Sequence, residues 1–203
     1  MYFFLLLPDR YNQSKMYFWC LAFLAVVHVV IAYPSGAPVG TCTTLTPGHR
    51  DNNNTMIQPQ TGQSPYVITV DKDLYTPSEM LKVTITGQSF KGILLQARRS
   101  SDNTVIGTFS DPPANTKLLE CTSAGDSITH SSRDEKSSGT QFTWTAPGSG
   151  VGNITFIATV VQEYNVFWTN LLSQEVYSGA TMVSINPGLI FTLICMIFVA
   201  TRQ

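Results

Sequence analysis

Residues 141–173, QFTWTAPGSGVGNITFIATVVQEYNVFWTNLLS, constrain this chain more than any other stretch. Phe142, Trp144 and Ala146 alternate with Gln141, Thr143 and Thr145, and after a Pro-Gly-Ser-Gly turn Ile154, Phe156, Ala158 and Val160 alternate with Asn153, Thr155 and Thr159. A period of two is the signature of a half-buried strand. One face is large and aromatic and the other rich in Thr, so a second sheet has to cover the aromatic face. The loop from Pro147 to Gly152 predicts a hairpin between the two strands, and Val166 to Leu172 reads as a third apolar strand. Gly148-Ser149-Gly150-Val151-Gly152 is a turn rather than a phosphate loop, because it lacks a Lys-Ser/Thr ending and opens no helix.

The same period recurs upstream. Tyr66, Ile68 and Val70 form one alternating set, and Leu81, Val83 and Ile85 another. Phe90 to Arg99 carries apolar residues at both parities, which suits a central strand covered on both faces, or one with a bulge at Gly92. Val105 to Phe109 and Ile128 to His130 are shorter candidates, and Tyr33 to Pro65 reads as a loop-rich lead-in tied down by Cys42. Seven to eight short strands with hardly any helical periodicity predict an all-β antiparallel sandwich over residues 33–177.

The two ends of the 203-residue chain fall outside that domain. Arg10 and Lys15 precede an apolar run from Met16 to Ile31, and Val30-Ile31-Ala32 stand before Tyr33, so residues 1–32 read as a secretory signal peptide. A spanning anchor is the alternative, and Met16 is a second possible start. At the other end Leu189 to Ala200 is a run of twelve residues, almost all apolar. As a helix it covers about 18 Å, short of a hydrocarbon core of about 30 Å. Small residues at Ser178-Gly179-Ala180, a spacer to Gly188 and that run together predict a glycosylphosphatidylinositol signal over residues 178–203 with Ser178 as attachment point. Arg202 suits the cytoplasmic flank of a spanning helix, which keeps that alternative open. Either way the expected location is the secretory pathway and the cell surface, with the membrane reached through the tail.

Between Tyr33 and Ser178 nine Lys/Arg face twelve Asp/Glu, so the domain has no footprint for nucleic acid. Cys20 and Cys195 lie in the terminal segments, which leaves Cys42 and Cys121 for one disulfide in an oxidising compartment. Asn53-Asn54-Thr55 and Asn153-Ile154-Thr155 are glycosylation acceptors at Asn53 and Asn153. His49 and His130 lack a third ligand or an activated partner, so hydrogen bonding is their expected role and no metal is expected. Lys91, Arg98 and Arg99 form the one local positive cluster. It reads as a charged strand edge or as a weak site for anionic headgroups or sugar phosphates, with Lys91 and Arg99 on one parity. Tyr164, Phe167 and Trp168 suit either the core or stacking on sugar rings. Nothing composes a catalytic set, so neither an enzyme nor a cofactor is expected.

Several landmarks in order carry a resemblance: Gly36-Ala37-Pro38 with Cys42, Pro47 and His49; Ser64-Pro65-Tyr66; Phe90-Lys91-Gly92 with Gln96-Ala97-Arg98; Gly107-Thr108-Phe109; Cys121; Thr129-His130; Lys136; Trp144-Ala146-Pro147; and Phe156-Ala158-Thr159-Val160-Val161 with Phe167-Trp168. Together they closely resemble the reeler (reelin N-terminal) domain over about Gly36 to Ser173. The resemblance implies an Ig-like sandwich and a Cys42 to Cys121 pairing. It also implies kinship with small secreted insect-type defense proteins, spondins, and the first module of ferric-chelate reductase-like membrane proteins. In the last group electron transfer belongs to a haem-binding helix bundle, so that activity is not carried over. The functional expectation is a non-enzymatic extracellular recognition module that binds microbial surface glycan or lipid. The alternatives are a truncated reductase-like protein and an adhesion module with an extracellular protein partner. Ser78 stands in the Tyr75 to Glu79 turn where the family pattern has Gly.

Overall fold

Burial along the strands follows the alternation of residue type: Leu81, Val83 and Ile85 are fully buried, while Met80 and Lys82 are exposed and Thr84 is half-buried. The structure, a computed structural model, describes residues 35–179. The expected signal peptide and the tail beyond Gly179 lie outside these residues. After a 3-10 turn at Val39–Thr41 come β1 (Val67–Val70), β2 (Leu74–Tyr75), β3 (Met80–Thr86), β4 (Gly92–Arg99), β5 (Thr108–Ser110) and β6 (Thr116–Leu119). Then follow β7 (Ser127–His130), β8 (Thr140–Thr145), β9 (Ile154–Glu163), β10 (Val166–Leu172) and β11 (Tyr177–Ser178). A four-stranded sheet in the order β1-β3-β8-β5 faces a five-stranded sheet in the order β10-β9-β4-β7-β6. Every pairing within these two sheets is antiparallel, and β11 joins β2 as a short parallel pair.

The strand pairing corrects one expectation. β8 and β9 are not a hairpin, since β8 pairs with β3 and β5 in one sheet and β9 pairs with β4 and β10 in the other. The loop at 147–152 crosses between layers that lie about 10 Å apart in such packings. Both strands bring aromatic faces that need cover, and placed opposite each other they cover one another. The rings of Trp144 and Phe156 meet at 5.4 Å and 87°, edge to face, at the centre of the core. The hairpin of this region is β9–β10, closed by Tyr164 and Asn165.

The stretch Val105 to Phe109 also changes sheets. Ile106 donates its N–H to Ala97 of β4, whereas Phe109 is registered with Trp144 of β8. Gly107 makes the step with φ of +69°, and a Cβ there would lie 2.3 Å from the Trp144 ring. The register of β4 with β9 is continuous from Gly92 to Arg99, so the strand has no bulge and the both-faces-covered alternative holds.

What covers the outer face of β4 is the lead-in. Its backbone is tied across the five-stranded sheet by Ala37 N–H to Thr129 Oγ1, Thr159 Oγ1 to the Leu45 carbonyl, and Gln60 N–H to the Phe167 carbonyl. Leu45 of the strap and Leu94 and Phe167 of the sheet are buried, each contributing about 1.5–3 kcal/mol relative to exposure. The Cys42–Cys121 disulfide closes this strap across 79 residues, worth about 4 kcal/mol on the chain-entropy account.

Candidate functional site

Two ends of the sandwich differ in what they display. At one end the strap turns back through a small loop in which Ile57 N–H bonds the His49 carbonyl and Arg50 bridges Met56. Asp51 shapes the tip by accepting from the N–H groups of Asn53 and Thr55. This loop packs against the β9–β10 turn. His49 stacks on Tyr164 with centroids 4.4 Å apart at 20°, and meets Phe167 edge-on at 5.4 Å. His49 Nδ1 lies 2.6 Å from the Tyr164 carbonyl, and the Tyr164 hydroxyl accepts from Arg50 N–H and donates to the Arg50 carbonyl. Burial lowers the His49 pKa and outweighs the opposing hydrogen bond to Tyr164, so the ring is neutral at pH 7.

The result is a tyrosine 48% exposed yet fixed at ring and hydroxyl. Beside it Lys91 and Glu163 form an ion pair at 2.5 Å, and Gln162 donates to Gln88. Beneath Lys91, the ammonium of buried Lys136 donates to the carbonyls of Lys91, Ser132 and Asp134, which holds the β3–β4 and β7–β8 loops together. Of the three aromatics considered for stacking, Phe167 is core and Trp168 packs partly buried against Tyr66 at 5.6 Å, which leaves Tyr164 as the exposed ring.

Lys91, Arg98 and Arg99 do not come together. Lys91 precedes β4 and Arg99 closes it, so shared parity still separates them by about 26 Å at the rise of a strand. Arg99 pairs with Asp102 at 3.0 Å. Arg98 lies under the strap, where its Nη2 donates to the carbonyls of Cys42 and Thr43 and to Gln96 Oε1. A guanidinium so used supports the disulfide loop and is not presented to a ligand. Sequence parity reports the face a residue takes, and it carries no information on a loop that covers that face.

The opposite end holds the exit of the described chain. Asn153 is half-buried there, and its Oδ1 accepts from Ser178 N–H at 3.3 Å. Gly179 N–H bonds the Tyr75 carbonyl, so Ser178 sits inside a paired strand. Asn53 is exposed at the tip of its loop. His130 lies half-buried in β7 beside Ile93, and among the described residues no group of three or more His, Cys, Asp or Glu is arranged to hold a metal ion.

Two packed antiparallel sheets, a disulfide that closes the strap and loops displayed at both ends define a strapped antiparallel β-sandwich module. The chain belongs to the reeler domain family, whose pattern matches residues 40–182. It is similar to a defense-named protein of Antheraea mylitta, at 33% identity over 79% of this chain and 96% of that one. It is also similar to a ferric-chelate-reductase-named protein of Danio rerio, at 36% identity over 79% of this chain. The second match takes in 28% of a much longer relative, so the name describes more than the matched part. The crystal structure of the human F-spondin reeler domain shares the fold, with a TM-score of 0.50 and 22% identity over 60% of this chain and 94% of that one.

Proposed function

We propose that this chain is a non-enzymatic extracellular recognition module of host defense that binds microbial surface glycan or lipid. The observation that supports the reading is the Tyr164 platform, an exposed ring held on one side by His49 and at its hydroxyl by Arg50. A ring immobilised before binding costs no rotamer entropy when a sugar ring stacks on it. Lys91 and Glu163 at its margin supply a donor and an acceptor for ring substituents. Similarity to defense-named relatives across most of their length supports the same role. The C-terminal tail carries the domain at the cell surface in this reading, as a lipid anchor attached at Ser178 or as a membrane span. Because the exit lies at the end remote from Tyr164, the platform faces outward. Attachment at Ser178 requires β11 to separate from β2. Release of the protein from cells by phosphatidylinositol-specific phospholipase C tests the lipid anchor, and retention with an epitope after Gln203 intact favours the span.

The purified protein is tested on bacteria, lipopolysaccharide, lipoteichoic acid and β-glucan beside an Ig-domain control. Binding above control that falls at least tenfold in Tyr164→Ala supports the platform, and binding equal to the control overturns the reading. Similarity to the reductase-named relative favours a second reading, in which this domain is a module of a longer membrane protein. In-frame downstream exons encoding a haem-binding helix bundle would establish it.

A further inference from the structure

The two outer faces of the sandwich are treated unequally. The strap covers the outer face of the five-stranded sheet, and the outer face of the four-stranded sheet is left open. Its composition follows from the register. Thr69, Thr84 and Gln141 stand in one cross-strand row, Lys82, Thr143 and Ser110 in the next, and Met80, Thr145 and Thr108 in a third. No register shift interrupts these three pairings, in contrast to β9–β10, which has two. Hydroxyls therefore recur about 4.8 Å apart across strands and about 6.7 Å apart along them.

The side chains of Thr69, Thr84, Thr108, Ser110, Gln141 and Thr145 make no hydrogen bond to other described residues, and Lys82 reaches across to Thr143 Oγ1. Lys82 is the one charged residue in the four strands. A protein partner fits poorly, because the centres of protein interfaces are built from aromatic and large apolar side chains, and here Val67 and Met80 stand only at the margins. Lipid acyl chains find no apolar face, and a polyanion finds a single cation. Hydroxyl and amide side chains both donate and accept. Lys82 and the Asp71 carboxylate beside it are the charges at the middle row, and the rest of the surface is a regular array of uncharged donors and acceptors, which matches a polymer that itself presents hydroxyls at a regular repeat.

We propose that the outer face of the β1-β3-β8-β5 sheet is a binding surface for an extended, uncharged polysaccharide chain. It rests on the reading of the protein as a glycan-recognition module, and it is separate from the Tyr164 platform. The test uses the secreted protein, a soluble linear β-glucan of high molecular weight, and short oligosaccharides of the same linkage. Thr84→Val/Thr143→Val/Thr145→Val removes three hydroxyls while keeping β-branched shape, and Thr143→Arg blocks the middle row of the face should the triple variant fold poorly. The expected result is at least a tenfold loss of polymer affinity in either folded variant, affinity that rises with chain length, and little change between 50 mM and 500 mM salt. Unchanged polymer binding in a folded variant overturns the proposal, as does the absence of polymer binding by the unaltered protein. Loss in Tyr164→Ala with retention in both face variants refutes this face and leaves the platform standing, and the reverse pattern supports the face and refutes the platform as a glycan site.

Discussion

Arg98 Nη2 donates to the backbone carbonyl of Cys42 at 2.8 Å, so a half-buried arginine of β4 holds the cysteine that closes the strap. The same nitrogen reaches the Thr43 carbonyl at 3.1 Å. Burial lowers the Arg98 pKa, and the guanidinium stays charged because its ordinary value is so high. Arg98→Ala strands these carbonyls under the strap and removes charge-assisted hydrogen bonds. The expected cost is about 2 kcal/mol, read as a lower urea midpoint with an unchanged slope. Binding to microbial surfaces per folded molecule is expected to stay as it was, and a binding loss at intact stability would return Arg98 to the ligand site.

Alternation made the inward sets of β1, β3, β8 and β9 legible from residues such as Leu81, Val83, Trp144 and Phe156, and the double parity of Ile93 to Ala97 announced a strand covered twice. Alternation records which face of a strand is buried and is silent on which neighbour it takes. That is why β8 and β9 read as partners when they are opponents. β6 escaped notice because Lys117 and Leu118 are both exposed on an edge, so no period of two is written there. The Tyr164 platform was half legible. The aromatic residues were visible, and the stacking of His49 from 115 residues away in sequence was not.

Gly107 and Trp144 make the tightest demand in the core. With φ at +69° and ring atoms 2.3 Å from the position of a Cβ, Gly107→Ala is strained in backbone and in packing alike. The clash displaces Trp144, whose Nε1 donates to the Ile106 carbonyl, so the sheet switch and the core loosen together. The expected loss is more than about 3 kcal/mol, the range of severe overpacking with backbone strain. Tryptophan fluorescence during thermal unfolding reads it directly, and a melting temperature within a degree of the unaltered protein would contradict the geometry.

Ser78 occupies the left-handed region with φ of +63°, in the turn where the family pattern has Gly. The turn is held by other residues: Ser78 N–H bonds the Pro147 carbonyl, and the Glu79 carboxylate accepts from Thr76 N–H and Oγ1 and pairs with Lys72. Those contacts hold the Glu79 carboxyl at a pKa of about 2, with the Lys72 hydrogen bond the largest cause. Ser78→Gly relieves the left-handed cost and breaks none of these bonds. It is expected to stabilise the domain by roughly 1 kcal/mol, less the extra entropy glycine gives the unfolded chain. Chemical denaturation of both proteins under one condition decides it, and a destabilised variant would show that the entropy term wins.

Asp126 supplies one part of the pH dependence. It is fully buried beside Cys121, and its carboxylate accepts from the N–H groups of Cys121, Thr122 and Ser123 and from the hydroxyls of Thr122 and Ser127. Burial works to raise its pKa, and the hydrogen bonds together outweigh burial, so the carboxyl titrates below its ordinary value. A folded pKa below the unfolded one means that the unfolded chain takes up protons first. The stability this group contributes is present above an unfolded value of about 3.9 and is lost as pH falls through the lower, folded value. Asp126→Asn keeps the shape, introduces an amide donor among donors, and is expected to cost on the order of 2 kcal/mol at pH 6. Glu79 and Asp102 are depressed as well, so the informative quantity is the difference between the two proteins. Urea midpoints at pH 6, 4 and 3 should converge as pH falls, and a gap as wide at pH 3 as at pH 6 would show that Asp126 is not held as the carboxylate.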